Sequence, residues 1–309
     1  MKKIAWFIVS IIILQNSAFS QEKIKGNNGD SIIRDYFMDQ TPPGKSPEIF
    51  APGIISTEFH EFSCTFTPDG KEFYFTRRVP EFNRNRIMVT RLEKDGWTES
   101  VIAPKAGDYE SIEPYITPDG KKFFFQTWRP VEGETTPAFD IWVMNNNGSG
   151  WEEPIHLDHP FNPMKAMYFS MSEEGRLYTT DISGGMGTGK IVYTTFEDGR
   201  YTDFKEISSV INATGKEIYP CIALDESFIL FTKRADGDES GIYISFRKSE
   251  TMWSEPIKLE LGLNRVSMPR LSPDGKYLFF TGLKERLKGD IYWMNASFIE
   301  ELRPDENAK

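Results

Sequence analysis

The stretch SGGMGTGK, residues 183–190, carries the glycines and the lysine of a phosphate-binding loop. Such a loop cradles phosphate oxygens in backbone N–H groups, needs Ser or Thr after the lysine to hold magnesium, and opens a helix. Here Ile191 follows Lys190 and the chain runs on as the β-branched and aromatic IVYTTF, so both the metal ligand and the helix are missing. Nucleotide binding is not expected. Glycoside hydrolysis needs two carboxyl groups roughly 5–9.5 Å apart, and Glu61, Glu113 and Glu217 are the acids that an enzyme would use. Counted back from the turn that follows each, Glu61 and Glu217 stand nine residues away and Glu113 seven, which speaks against a designed pair. His156 and His159 have the His-x-x-His spacing of a zinc site, but His60 is the one other histidine and no cysteine lies close. The chain has no G-x-S-x-G elbow and no EF-hand loop. No metal and no cofactor is expected.

The elements that would position these residues come from an internal repeat. FTPDGKEFYF, ITPDGKKFFF, MSEEGRLYTT, ALDESFILFT and LSPDGKYLFF place Gly70, Gly120, Gly175, Glu226 and Gly275 at intervals of 50, 55, 51 and 49 residues. A second marker, RIMVT, DIWVM, KIVYT, GIYIS and DIYWM, places Ile87, Ile141, Ile191, Ile242 and Ile291 at intervals of 54, 50, 51 and 49. A third puts Trp97, Trp151, Tyr201 and Trp253 beside a polar turn. Each unit therefore reads as strand, Pro-Asp-Gly-type turn, strand, variable loop, strand, polar turn, strand. Units of about 50 residues with four short strands are propeller blades. The glycine-rich stretch falls in the variable loop of the third unit, where glycine serves positive φ.

The expectation is an all-β fold: a single five-bladed β-propeller of four-stranded antiparallel blades. The fifth unit lacks a fourth strand and ends in ASFIEELRP, a short C-terminal helix in which Ser297 and Glu300 have capping-box spacing. SPEIFAP, residues 46–52, resembles TESVIAP, residues 98–104, so an N-terminal strand is expected to complete the last blade and close the ring.

These repeats resemble the TolB-type, WD-like β-propeller repeats of exported bacterial proteins. The resemblance lies in PYITPDGKKFFF, MPRLSPDGKYLFF, DIWVM, DIYWM and the Trp-marked fourth strands, and it covers residues 46–303. Members of that family act as interaction modules, accessory domains of peptidases and, in some branches, carbohydrate-active enzymes. SEEG and LDES depart from the SPDG pattern, so the third and fourth turns are expected to differ in shape.

In a propeller, strand one lines the channel and begins at the mouth where strand two finishes. That mouth is expected to gather His60, Glu61, Glu113, Tyr168, Glu217, Tyr219 and Arg265 with Arg77, Arg78, Trp128, Arg129, Asp181, Lys233, Arg234, Lys284 and Arg286. Guanidinium forks suit carboxylate or sulfate oxygens, and aromatic faces suit sugar rings. The binding set is His60, Glu61, Arg77, Glu113, Trp128, Arg129, Tyr168, Tyr219, Lys233 and Arg234. Against it stands a purely structural role, with Glu and Arg pairing as ties between blades.

Lys2 and Lys3, the apolar IAWFIVSIIIL and the small residues before Gln21 have the order of a cleavable signal peptide over residues 1–20. The expected plan is a lead-in at 21–45, the propeller at 46–303 and a tail at 304–309, in a periplasmic or secreted protein with no membrane span after cleavage. Without the signal, 34 basic residues face 46 acidic ones, a net of −12 that excludes nucleic acid as a partner. Cys64 and Cys221 align one register step apart in non-neighbouring blades and are expected as two free, buried thiols. The function expected is non-catalytic binding of a polar or anionic glycan or peptide at one channel mouth. The alternatives are a carbohydrate-active enzyme, hydrolase or lyase, and a scaffold for an envelope protein partner.

Overall fold

The second strand of each unit is apolar at consecutive positions because both of its faces are packed. Phe73 and Phe75 enter one core cluster and Tyr74 the next, as the period-two geometry of a strand requires. Residues 123–125, 229–231 and 278–280 repeat the alternation. A sheet apolar on both faces needs a sheet on each side, and a closed ring supplies one to every blade.

The computed structural model describes residues 37–38, 40–135, 138–185, 187–235, 239–285 and 288–304, and it is that ring. The expected signal peptide, most of the lead-in, Arg286 and most of the tail lie outside the described residues. After β1 (Glu48–Ile49), blade one holds β2 (Glu61–Phe66), β3 (Glu72–Val79), β4 (Arg84–Glu93), β5 (Gly96–Trp97) and β6 (Val101–Ile102). Blade two is β7 (Ser111–Ile116), β8 (Lys122–Thr127), β9 (Asp140–Asn145) and β10 (Ile155–His156). Blade three is β11 (Ala166–Met171), β12 (Leu177–Asp181), β13 (Lys190–Thr194) and β16 (Lys205–Glu206), with a hairpin of β14 (Phe196–Glu197) and β15 (Arg200–Tyr201). Blade four is β17 (Glu217–Ile222), β18 (Phe228–Lys233), β19 (Gly241–Phe246) and β20 (Ile257–Lys258). Blade five is β21 (Val266–Leu271), β22 (Tyr277–Glu285) and β23 (Lys288–Asn295), and β1 completes it.

The ring closes as the sequence predicts, with Glu48 opposite Trp293 and Ile49 opposite Tyr292. Phe50 then enters the seam between blades five and one, its ring 5.0 Å from Phe279 and 5.1 Å from Phe73. Trp97, Trp151, Tyr201 and Trp253 each pack against one seam. The seam between blades four and five is covered instead by helix α1 (Phe298–Glu301), through Phe298, Ile299 and Leu302. The helix thus replaces the aromatic that the fifth unit lacks. The capping box is not formed: Ser297 makes no side-chain cap, and Glu300 turns to Arg303.

The fourth turn keeps the shape of the others. Glu226 adopts φ 57° where Gly70, Gly120, Gly175 and Gly275 adopt 67° to 83°. A left-handed residue with a Cβ is strained by roughly 1–2 kcal/mol, and here Arg176 and Arg247 hold the buried Glu226 carboxylate in place. The glycine-rich stretch is the loop between β12 and β13, with Gly185 and Gly187 at positive φ and Lys190 paired to Glu206 at 2.6 Å. Cys64 and Cys221 are free, buried and in different clusters. Burial pushes the Cys64 thiol up to about 12.

Candidate functional site

Every first strand carries a β-bulge at the same place. The register shifts after Phe62, Ile112, Met167, Ile218 and Ser267, and the residue that follows is left-handed: Ser63, Glu113, Tyr168, Tyr219 and Met268, with φ between 46° and 58°. A non-glycine residue in that region needs outside support. At four seams a threonine on the second strand of the preceding blade supplies it by accepting the bulge N–H. Thr281 takes Ser63, Thr76 takes Glu113, Thr180 takes Tyr219 and Thr232 takes Met268, at 2.9–3.3 Å. At the seam between blades two and three, Gln126 stands at the threonine position. Its amide reaches the carbonyl of Ala166 at 3.1 Å, and the Tyr168 N–H is accepted by the Glu113 carboxyl.

The bulges set two layers across the channel. In the first, Tyr168 and Tyr219 pack with Met167 and Ile218, and Met268 and Ile182 lie against them, a plug of apolar and aromatic groups. Two residues further along each strand stand Thr65, Tyr115, Ser170, Cys221 and Arg270. These form the floor of a cavity of about 590 Å³ that opens at the Pro-Asp-Gly turns. Its walls include Phe66, Met171, Ala223, Phe228 and Leu271, and exposed Glu173, Asp225, Asp274 and Glu300 stand at its opening. Ligand cavities are commonly about 300–1,000 Å³, mostly apolar with a few polar groups.

Arg270 dominates the floor. It is 5% exposed, and its guanidinium lies 4.7 Å from the Tyr115 ring centroid and 4.6 Å from that of Tyr168. Nε donates to the carbonyl of Cys64 at 3.3 Å. Neither terminal nitrogen has a described acceptor, Nη2 being shut off from solvent as well, and Arg270 forms no ion pair among the described residues. Glu113 is the buried acid that senses it, along with Arg234. Burial, against the opposing pull of the Tyr168 N–H and the two arginines, raises the Glu113 carboxyl to about 8. A carboxyl raised in this way favours its neutral form, which offers Arg270 no ionised counterpart. Thr65 and Tyr115 hydroxyls accept the N–H groups of Ile116 and Met171, so each retains a proton to donate.

The fold is shared with known propellers. Similar solved structures include a putative TolB from Agrobacterium tumefaciens, 15% identical over 78% of each chain with a TM-score of 0.50. TolB from Acinetobacter baumannii is 16% identical over 78% of this chain and 55% of its own, with a TM-score of 0.47. The arabinanase Arb43A of Bacillus subtilis is 14% identical over 84% of this chain and 98% of its own, also at 0.47. No protein-family model and no curated protein sequence matches the chain. Likeness at these identities establishes the fold alone.

The residues expected at the opposite mouth separate into three groups. Glu61 and Glu217 begin their strands and are fully engaged. Glu61 accepts Arg77 Nε at 2.7 Å and the Thr57 hydroxyl at 2.6 Å, and Glu217 accepts the Thr214 hydroxyl at 2.6 Å and the Lys216 N–H at 3.0 Å. Glu113, Tyr168 and Tyr219 stand at the bulges, deeper than those strand ends. The Tyr168 hydroxyl donates to the carbonyl of Pro269 at 2.9 Å, and Arg234 Nη2 donates to the Tyr219 hydroxyl at 3.1 Å. The rest lie nearer the surface. His60 stacks on Phe62, its pKa lowered by burial. Trp128, 43% exposed, stacks on Phe139. Arg129 donates to the carbonyl of Lys105 at 2.6 Å, and Lys233 lies 5.5 Å from the Tyr243 ring centroid. His156 pairs with Asp140 at 3.0 Å, and no group of three metal-ligating side chains occurs among the described residues.

Arg270 is the residue that sequence reasoning passes over. The alignment that places Cys221 on Tyr115 also places Arg270 there, in MPRLSPDG against PYITPDG. A lone basic side chain at a strand position otherwise filled by Thr, Tyr, Ser and Cys is the signal.

Proposed function

We propose that this protein is an exported, non-catalytic binding propeller that receives a small polar ligand in the channel cavity on the side of the Pro-Asp-Gly turns. The observation that carries the reading is the cavity itself: all five blades contribute to it, and on its floor lies a buried guanidinium whose terminal nitrogens have no acceptor among the described residues. Export is supported by the charged, apolar and small-residue order of the first 20 residues. Binding without turnover is supported by the state of the acids, since Glu61 is held by Thr57 and Arg77, Glu217 by Thr214 and Lys216, and Glu113 is buried beside Tyr168 and Tyr219. A second reading, in which a sugar ring stacks at the other mouth, rests on the exposed Trp128 face backed by Phe139.

Native mass spectrometry against pooled glycans, peptides and small acids tests both readings. Leu224 is exposed at the lip of the cavity, so Leu224→Trp narrows the opening without burying new volume and should abolish ligand capture. Capture that survives Leu224→Trp and fails in Trp128→Ala moves the site to the other mouth. Release of a product that stops in Glu61→Gln, Glu113→Gln or Glu217→Gln overturns the non-catalytic reading.

A further inference from the structure

We infer that the channel cavity takes the free C-terminus of a short peptide chain, carboxylate inward on Arg270 and a basic side chain or amine outward at the acidic opening. This rests on the cavity being the ligand site, and it specifies the chemistry of the occupant. An arginine that is 5% exposed, with no acceptor for either terminal nitrogen and no ion pair among the described residues, is costly unless an anion joins it. Its planar fork matches the two oxygens of a carboxylate. The Tyr115 and Tyr168 rings fix the guanidinium from its sides, and the Thr65 and Tyr115 hydroxyls have protons left to donate from the same floor.

The opening decides between kinds of carboxylate. Glu173, Asp225, Asp274 and Glu300 face solvent there. Arg303 bonds to Glu300 through two nitrogens and Lys276 lies 3.5 Å from Asp274, which offsets part of the charge. A chain with a carboxylate on every unit, such as a uronate oligomer, would set its outer charges against these acids. A peptide has one terminal carboxylate, apolar side chains for Phe66, Met171 and Phe228, and an amine or lysine for the opening.

Isothermal titration of the full protein with a pool of Lys-X-X tripeptides, as free acids and as C-terminal amides, tests this beside trigalacturonate. The acids should bind, and the amides should bind roughly 10- to 100-fold more weakly, the worth of a charge-assisted bond. Arg270→Met should lose the acids to the same extent, with its folded state checked by circular dichroism. Glu173→Lys, on an exposed site, should weaken the acids about 2- to 5-fold. Equal binding of acid and amide, no binding of either, or tighter binding of trigalacturonate overturns the peptide inference. In those cases the cavity reading still stands if Leu224→Trp abolishes capture of whatever ligand the mixed pools return, and it falls if that variant changes nothing.

Discussion

The two ends of the channel treat buried charge in opposite ways. Where the first strands begin, Glu61 lies 2.7 Å from Arg77, and Arg77 goes on to Ser100 and to the carbonyls of Ile54 and Ile55. The buried carboxylates there, Glu61 and Glu217, are answered from within the chain. Toward the turns, Arg270 has one hydrogen bond among the described residues, to the Cys64 carbonyl, and faces a cavity. Charge content alone does not separate a structural tie from a binding group. Whether the hydrogen-bonding capacity is already filled does.

The largest test of this contrast removes one charge from each end. Glu61→Ala leaves Arg77 without its carboxylate in a site where the arginine side chain is 11% exposed, and should cost about 3–5 kcal/mol in urea unfolding. Arg270→Met removes a buried charge that has no ionised partner among the described residues and fills similar volume, and should be neutral or stabilising by about 1–4 kcal/mol in the ligand-free protein. A loss in Arg270→Met comparable to that in Glu61→Ala would make Arg270 another internal tie and erase the difference between the two ends.

Next in size is the protonation of Glu113, which decides whether Arg270 has a counter-ion. Its folded pKa, raised to about 8, exceeds the ordinary value of 4.5, so between those limits the folded protein holds a proton that the unfolded chain has released. Stability contributed by this group therefore falls as pH rises from 4.5 to 8, by at most about 1.4 kcal/mol per pH unit. Glutamine keeps a carbonyl oxygen for the Tyr168 N–H and cannot ionise. Glu113→Gln should match the native protein at pH 5 and exceed its stability increasingly toward pH 8. Parallel profiles across that range would mean that Glu113 is ionised in the folded state and already neutralises Arg270.

Much of this architecture is legible in the sequence because it depends on repetition. Turn spacing, the apolar second strands and the likeness of residues 46–52 to 98–104 lead to five blades and to β1 lying against Tyr292. The bulges are not legible, since one extra residue in a strand leaves no mark in a pattern of apolar runs. That is why Glu113, Tyr168 and Tyr219, placed by sequence at a channel mouth, stand deeper: Glu113, seven residues from its turn, occupies the bulge position that Ser63 holds in blade one, whereas Glu61, nine residues away, begins its strand. The role of Glu226 is hidden for another reason: an ion cluster drawn from two blades holds a residue in a conformation that its type disfavours.

The smallest effects belong to the seams, and they act on the same buried acid. Thr180→Val strips the Tyr219 bulge N–H of its acceptor and should cost about 1–2 kcal/mol, the price of one buried unsatisfied donor. Gln126→Thr should cost less than Thr180→Val in the same urea titration, because a threonine there restores the acceptor that the other four seams use while losing the bond to Ala166. With the Tyr168 N–H transferred to the introduced hydroxyl, Glu113 loses a hydrogen bond that favours its ionised form, and its pKa should climb further. The pH at which stability stops falling would then move upward. If Gln126→Thr instead costs as much as Thr180→Val and leaves the pH profile where it was, Glu113 remains bound to the Tyr168 N–H, and the fifth seam holds by a means that threonine cannot replace.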